Sequence, residues 1–151
     1  MPCLEMDIAR ARAALERLGE MKTRQVTDPA LAVQTMEPLL RDREQEVFVV
    51  LLLDTRLRPI DIVELYKGNL DGLTVRPAEV FREAVRKNAA AIIVGHNHPS
   101  GHAEPSPQDL HITRVLARAG RLLEIPVHDH IVYGAPQAWC SLREQHPDTL
   151  N

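Results

Sequence analysis

Along the first twenty residues Leu4, Ile8, Ala11, Leu15 and Leu18 recur at spacings of three and four. That periodicity predicts an amphipathic helix over residues 4–20 with one apolar face, and Gly19 is placed to end it. Asp28 and Pro29 supply a cap and a residue suited to a first helical turn. Ala32, Met36, Leu39 and Leu40 then continue an apolar stripe into a second helix running to about Arg43, and the polar stretch from Lys22 to Thr27 reads as a linker. From Glu46 the pattern changes. Val47 to Leu53 is an unbroken apolar run of the length expected for a strand covered on both faces. Residues 58–67 alternate loosely and lead into Lys67-Gly68-Asn69, which predicts a return strand, with Asp71-Gly72 marking another turn.

Pro77 opens a predicted helix on which Val80, Phe81, Ala84 and Val85 share a face. Ala91 to Gly95 is a second short buried strand. Ser106-Pro107-Gln108-Asp109 starts the most regular helix, with Ile112, Val115, Leu116, Ala119, Leu122 and Leu123 on its apolar side, and residues 125–133 and 138–142 read as closing strands. The order of elements predicts an α/β fold with mixed strand pairing.

Composition narrows the function classes. With 151 residues, 44% hydrophobic and 26% charged, the chain has material for one core. No stretch approaches the roughly 20 apolar residues of a membrane span, and the start lacks a long apolar leader core, so a cytoplasmic protein is expected. Cys3 and Cys140 stand too far apart for a cysteine zinc ribbon or a disulfide framework. Eighteen basic against 21 acidic residues, a net charge of −3, give no electrostatic reason to bind a polyanion. Phe48, Tyr66, Phe81, Tyr133 and Trp139 are too scattered to form a base-stacking surface, so strong nucleic-acid binding is not expected. Histidine is the anomaly: His96, His98, His102, His111, His128 and His130 cluster, leaving only His146 elsewhere.

His96-Asn97-His98 follows an apolar strand directly. In an extended backbone residues i and i+2 point to the same side, so both imidazoles can converge on one ion. The loop that follows ends in a helix whose first turn carries Asp109, and His-His-Asp is a workable three-ligand set for Zn²⁺ with a fourth position left for water. Two structural roles compete with this. A histidine pair at a strand end also serves as a polar edge, and Ser106 with Asp109 three residues on is also a capping-box start.

His96-x-His98-Pro99, then Ser106 and Asp109, with a glutamate upstream, resembles the JAMM or MPN-plus metalloprotease motif. The wider text resembles the RadC-like branch of that superfamily: Val75-x-Pro77-x-Glu79-Val80-Phe81-Arg82-Glu83-Ala84, Ala89-Ala90-Ala91-x-Ile93-x-x-His96-Asn97-His98-Pro99-Ser100-Gly101, Pro105-Ser106-x-x-Asp109, Ile125-Pro126 and Asp129-His130. The resemblance covers roughly residues 30 to 145. It implies a JAMM/MPN-type curved mixed sheet flanked by helices, related to the cytidine deaminase architecture, with residues 1–28 as an N-terminal helical extension and 29–151 as the RadC-like domain. It further implies one Zn²⁺ per chain on His96, His98 and Asp109, an oxyanion-stabilising role for Ser106, and a water-activating role for Glu46, at the start of the Val47 strand; Glu44 is a weaker candidate. Asp129 and His130 are expected to support the site from a neighbouring strand, while His128 looks like an extra polar residue. His102 and His111 are expected on a loop and a helix surface. The implied chemistry is amide hydrolysis in a protein or peptide, by a zinc-dependent metallopeptidase or isopeptidase.

RadC-like proteins usually carry a helix-hairpin-helix region before this domain, and residues 1–29 hold no Gly-containing hairpin, so a DNA-binding module is expected to be absent. Two alternatives come from other classes: a non-catalytic MPN-type interaction scaffold, and a factor in DNA repair or processing as the family name suggests. A zinc deaminase would need a Pro-Cys-x-x-Cys pair that Cys3 and Cys140 do not supply.

Overall fold

The apolar run at Val47 is buried on both sides because it lies inside a sheet whose two faces are covered by helices. The computed structural model describes residues 2–68 and 75–151. In chain order the elements are α1 (Pro2–Met21), α2 (Pro29–Leu40), β1 (Val47–Leu53), β2 (Pro59–Lys67), α3 (Pro77–Arg86), β3 (Ala91–Asn97), α4 (Pro107–Leu123), β4 (Val127–Ala135), β5 (Ala138–Ser141) and α5 (Leu142–Gln145), followed by a short 3₁₀ turn at Pro147–Leu150. The sheet order is β2-β1-β3-β4-β5. Among the described residues only β3 and β4 pair in parallel, joined through α4; the other neighbours are antiparallel. This is the mixed strand pairing that the order of elements predicts, in the helix-flanked sheet that the family resemblance implies.

Alternation along β1 divides the core. Val47, Val49, Leu51 and Leu53 pack with Ala14, Leu18, Ala32, Met36 and Leu40 of α1 and α2. Phe48, Val50 and Leu52 pack with Val80, Phe81 and Ala84 of α3 and with Ile112 and Leu116 of α4. The same alternation on β3 sends Ile92 and Val94 to the α3/α4 side. His96 is next in that series, so the strand's own pleat carries its imidazole toward α4.

Several helix faces differ from the predicted ones. On α1, Ala14, Leu18 and Met21 are buried, whereas Ile8 and Leu15 are 51% and 65% exposed and Ala11 faces solvent. Arg10 and Arg17 turn the helix: Arg10 donates to the Arg41 and Asp42 carbonyls at 2.6 and 2.8 Å, and Arg17 to the Gln34 carbonyl at 2.6 Å. α2 stops at Leu40, short of Arg43, because Arg41 is extended and Asp42 left-handed (φ 54°). Val85 is exposed on α3, and Leu122 is 86% exposed on α4. The buried side of α4 keeps Ile112 and Leu116 but continues through Thr113, Ala117 and Gly120, small residues that let the helix approach the sheet. The closing strands are as expected within two residues, while α5 had no counterpart in the periodicity. The Asp71-Gly72 turn lies outside the described residues. Among those described, no helix is long and apolar enough to cross a membrane.

Gly120 sits where α4 turns back into the sheet. A Cβ there would lie 2.6 Å from the Ile125 carbonyl oxygen and 3.3 Å from the Phe81 ring. Gly120→Ala is therefore expected to destabilise the protein by about 1–3 kcal/mol through overpacking. That outweighs the roughly 1 kcal/mol gained in helix propensity. A rise in the urea midpoint would contradict this packing account.

Candidate metal centre

β3 delivers the first two groups and α4 the third. His96 is buried near the end of β3, and His98 follows one residue beyond the strand. The His98 N–H still bonds the Tyr133 carbonyl on β4 at 2.8 Å, so the extended geometry persists far enough to keep the two rings on one side. The chain then turns at Gly101 (φ 87°) and re-enters at Ser106, the N-cap of α4. Here the capping box is complete: Ser106 Oγ accepts from the Asp109 N–H at 3.1 Å, and Asp109 Oδ2 accepts from the Ser106 N–H at 2.8 Å. Capping thus fixes the carboxylate's rotamer and turns its oxygens toward the histidines. His96 Nε2 lies 3.2 Å from Asp109 Oδ1, and His98 Nε2 lies 3.1 Å from Asp109 Oδ2 and 3.1 Å from His96 Nε2. One donor atom from each of the three residues falls within 4.8 Å of the others.

The chemistry of this set calls for a positive charge in its middle. His98 Nδ1 donates to the His102 carbonyl at 2.9 Å, so in its neutral form the ring turns a bare Nε2 lone pair to the cluster. A proton can fill the gap, and the titration behaviour reflects it. The hydrogen bond to Asp109 raises the His98 pKa; burial opposes this, while the His102 carbonyl and the charges of Asp109 and Glu46 reinforce it. Burial pushes the Asp109 carboxyl up, but hydrogen bonds from His96 and His98 overcome it and hold the group far below the usual carboxylate range. A divalent cation fits the same set of acceptors, two imidazole nitrogens and a carboxylate.

Glu46 immediately precedes β1 and is half-buried, whereas Glu44 is exposed. β1 pairs with β3 so that Phe48 lies opposite His96. Two residues further along that antiparallel register, Glu46 falls opposite His98, and its charge is felt there. Asn97 fastens this end of the sheet. Its Oδ1 accepts from the Val47 N–H at 2.7 Å and its Nδ2 donates to the Gln45 carbonyl at 3.1 Å, so one side chain grips the backbone on both sides of Glu46.

Residues 26–147 match the family described as RadC-like JAB domain. The chain belongs to that family. It is similar to the protein named UPF0758 from Chloroflexus aggregans, at 54% identity over 68% of this chain and 44% of the relative. The UPF0758 protein of Xylella fastidiosa strain Temecula1 is 44% identical over 87% of this chain and 56% of its own length. That of Roseiflexus castenholzii is 43% identical over 93% and 63%. The chain spans about half the length of the curated relatives it matches.

In this RadC-like JAB domain the sequence-derived residues do not all converge. His96, His98, Asp109 and Ser106 form one cluster, and Glu46, just before β1, is near enough for its charge to act on His98. His130 also arrives, from β4: its Nε2 lies 2.8 Å from His96 Nδ1. Its neighbour Asp129 does not. The alternation of β4 turns Asp129 to the opposite side, where it accepts from Ser141 Oγ at 2.7 Å and the Arg143 N–H at 3.0 Å and ties β5 and α5 to the sheet. His102 and His111 are exposed, and His102 contributes only its carbonyl. The sequence pattern assigns no part to Asn97 or Thr113. Thr113 stands one helical turn after Asp109, a spacing that could have flagged it, and its Oγ1 is 2.6 Å from His130 Nδ1. Asn97 was hidden by the strand alternation that singled out the histidines around it.

Two opposed shifts make a pH prediction. His98 is raised, so its contribution to the stability of metal-free protein is present below about pH 6.5 and is lost as pH rises through its folded value. His130 is held neutral by burial and lowered well below its ordinary value, so below about pH 6.5 the unfolded chain gains a proton that the folded chain does not. The urea midpoint of metal-free protein should thus fall on both sides of about pH 6.5. A divalent cation entering this set would have to displace the His98 proton, so its affinity should weaken by about tenfold per pH unit of acidification below that group's pKa. A flat affinity between pH 5 and 8, roughly the range over which histidine titrates, would contradict the geometry.

Proposed function

We propose that this chain is a zinc-dependent hydrolase of the metallopeptidase or isopeptidase type, acting on an amide bond in a protein or peptide. The observation that carries it is the combination at one strand end: three acceptor groups converging where a cation fits, with Glu46 beside them and a serine hydroxyl at the rim. Zn²⁺ held by His96, His98 and Asp109, one per chain, would supply Lewis acidity to a water and to the scissile carbonyl. Glu46 takes the proton from the attacking water and passes it to the departing amine. Ser106 Oγ already accepts from the Asp109 N–H, and its own hydrogen has no acceptor among the described residues, so it can donate to the developing oxyanion. A site at the exposed end of a strand suits an extended peptide that crosses it and presents one carbonyl. The rival reading, a scaffold of the same fold, does not account for a retained carboxylate, hydroxyl and ligand cluster together.

Glu46→Gln is expected to keep stoichiometric zinc by elemental analysis and to lose about 10²- to 10⁴-fold in turnover. Ser106→Ala should lose about 10²- to 10³-fold, together with about 1 kcal/mol of stability from the lost cap. Substrates can be sought by incubating wild-type and Glu46→Gln protein with cell extract and comparing new peptide termini by mass spectrometry. Identical termini, with a phosphodiester assay separating the two proteins, would replace the peptidase reading.

DNA is not proposed as the substrate of this chain, given its charge of −3. Gel-shift titration should find at most weak binding that falls steeply with salt. Nanomolar, structure-selective binding would favour the repair reading instead.

A further inference from the structure

We propose that Thr113 and His130 form a buried one-way hydrogen-bond relay that fixes His96 in the tautomer able to bind a metal. The inference rests on the metal reading above and adds the means by which the domain prepares its most buried ligand.

Each link has only one consistent direction. Thr113 Oγ1 donates to the Asp109 carbonyl at 2.7 Å, the preceding-turn bond of a helical threonine. A hydroxyl has one hydrogen, so its contact with His130 Nδ1 at 2.6 Å must be one in which Nδ1–H donates and Oγ1 accepts. The His130 ring is enclosed by His96, Thr113 and the edge of Phe48. Buried there beside a second imidazole, it carries a single ring hydrogen, and with that hydrogen on Nδ1 its Nε2 is an acceptor. His96 Nδ1, 2.8 Å away, must then be the donor. His96 consequently turns a bare Nε2 toward Asp109 and His98, which is the nitrogen a cation needs.

The relay also closes a loop. Thr113 holds the backbone of Asp109, and His130 holds the ring of His96, so two candidate ligands from different elements are coupled through protein as well as through any ion between them. Coupling of this kind lowers the reorganisation needed on binding and makes the ligand nitrogen more basic. Reversing the chain by removing the Thr113 hydroxyl would favour the opposite tautomer of His130, and with it a hydrogen on His96 Nε2.

Thr113→Val keeps the shape and removes the hydroxyl, while Thr113→Ser keeps the hydroxyl. Zinc affinity of the full chain, read by chelator competition, should fall about ten- to hundredfold in Thr113→Val and stay near wild type in Thr113→Ser. His130→Gln, whose amide can accept from His96 and donate to Thr113, should retain more affinity than His130→Leu. In metal-free wild-type protein at alkaline pH, imidazole ¹⁵N shifts should place the hydrogens of both His96 and His130 on Nδ1. Wild-type zinc affinity in Thr113→Val, or a hydrogen on His130 Nε2 in the wild type, overturns the relay. If wild-type protein binds no zinc, the metal reading fails by itself, and the ¹⁵N shifts still decide the relay.

Discussion

Everything at this site depends on three acceptors held too close together to be left without a positive charge. Two imidazole nitrogens 3.1 Å apart, with carboxylate oxygens at 3.1 and 3.2 Å, repel one another unless a proton or a cation lies between them. The fold bears that cost through its most regular features. The β3 pleat aims His96, the continued ladder to β4 aims His98, and a capping box sets Asp109. Because each orientation comes from backbone hydrogen bonding, the cluster is assembled by folding rather than by the ion, the preorganisation a metal centre requires.

The centre of the sheet serves two purposes. β1 and β3 are buried on both faces and supply much of the core, and the same strands end at the chemistry: Glu46 immediately precedes β1 where His96 and the following His98 leave β3. Asn97 makes the join, and Phe48 stacks at 6.4 Å against His96 while meeting His130 edge-on at 6.0 Å. A substitution in this stretch of core therefore acts on the site geometry as well as on stability.

The strands and the ligand cluster were legible in sequence because each rests on local pattern. An unbroken apolar run means a doubly covered strand, histidines at i and i+2 share a side, and Ser-Pro-x-Asp opens a helix. Helix faces were less legible. Ile8 and Leu15 fit an apolar stripe, but the rotation of α1 is decided by guanidinium bonds from Arg10 and Arg17 to carbonyls far along the chain, which periodicity does not register. Leu122 and Leu123 extend the stripe of α4 beyond the point where Gly120 and the Ile125 carbonyl end its contact with the sheet. Thr113 and Asn97 escaped notice for a related reason: each acts through hydrogen bonds to residues distant in sequence or to backbone, so residue type alone does not mark them. The family pattern points Asp129 to the site, but strand alternation carries it to the other face.

The most direct test of the central claim is X-ray absorption or anomalous diffraction at the zinc edge of protein loaded with one equivalent of zinc. The account predicts a single site with two imidazole nitrogens at about 2.0–2.1 Å and one carboxylate oxygen in the same range, the nitrogens being Nε2 of His96 and His98 and the oxygen that of Asp109. Zinc bound through His102, His111 or His128 instead, or distributed over several weak surface positions, would contradict it.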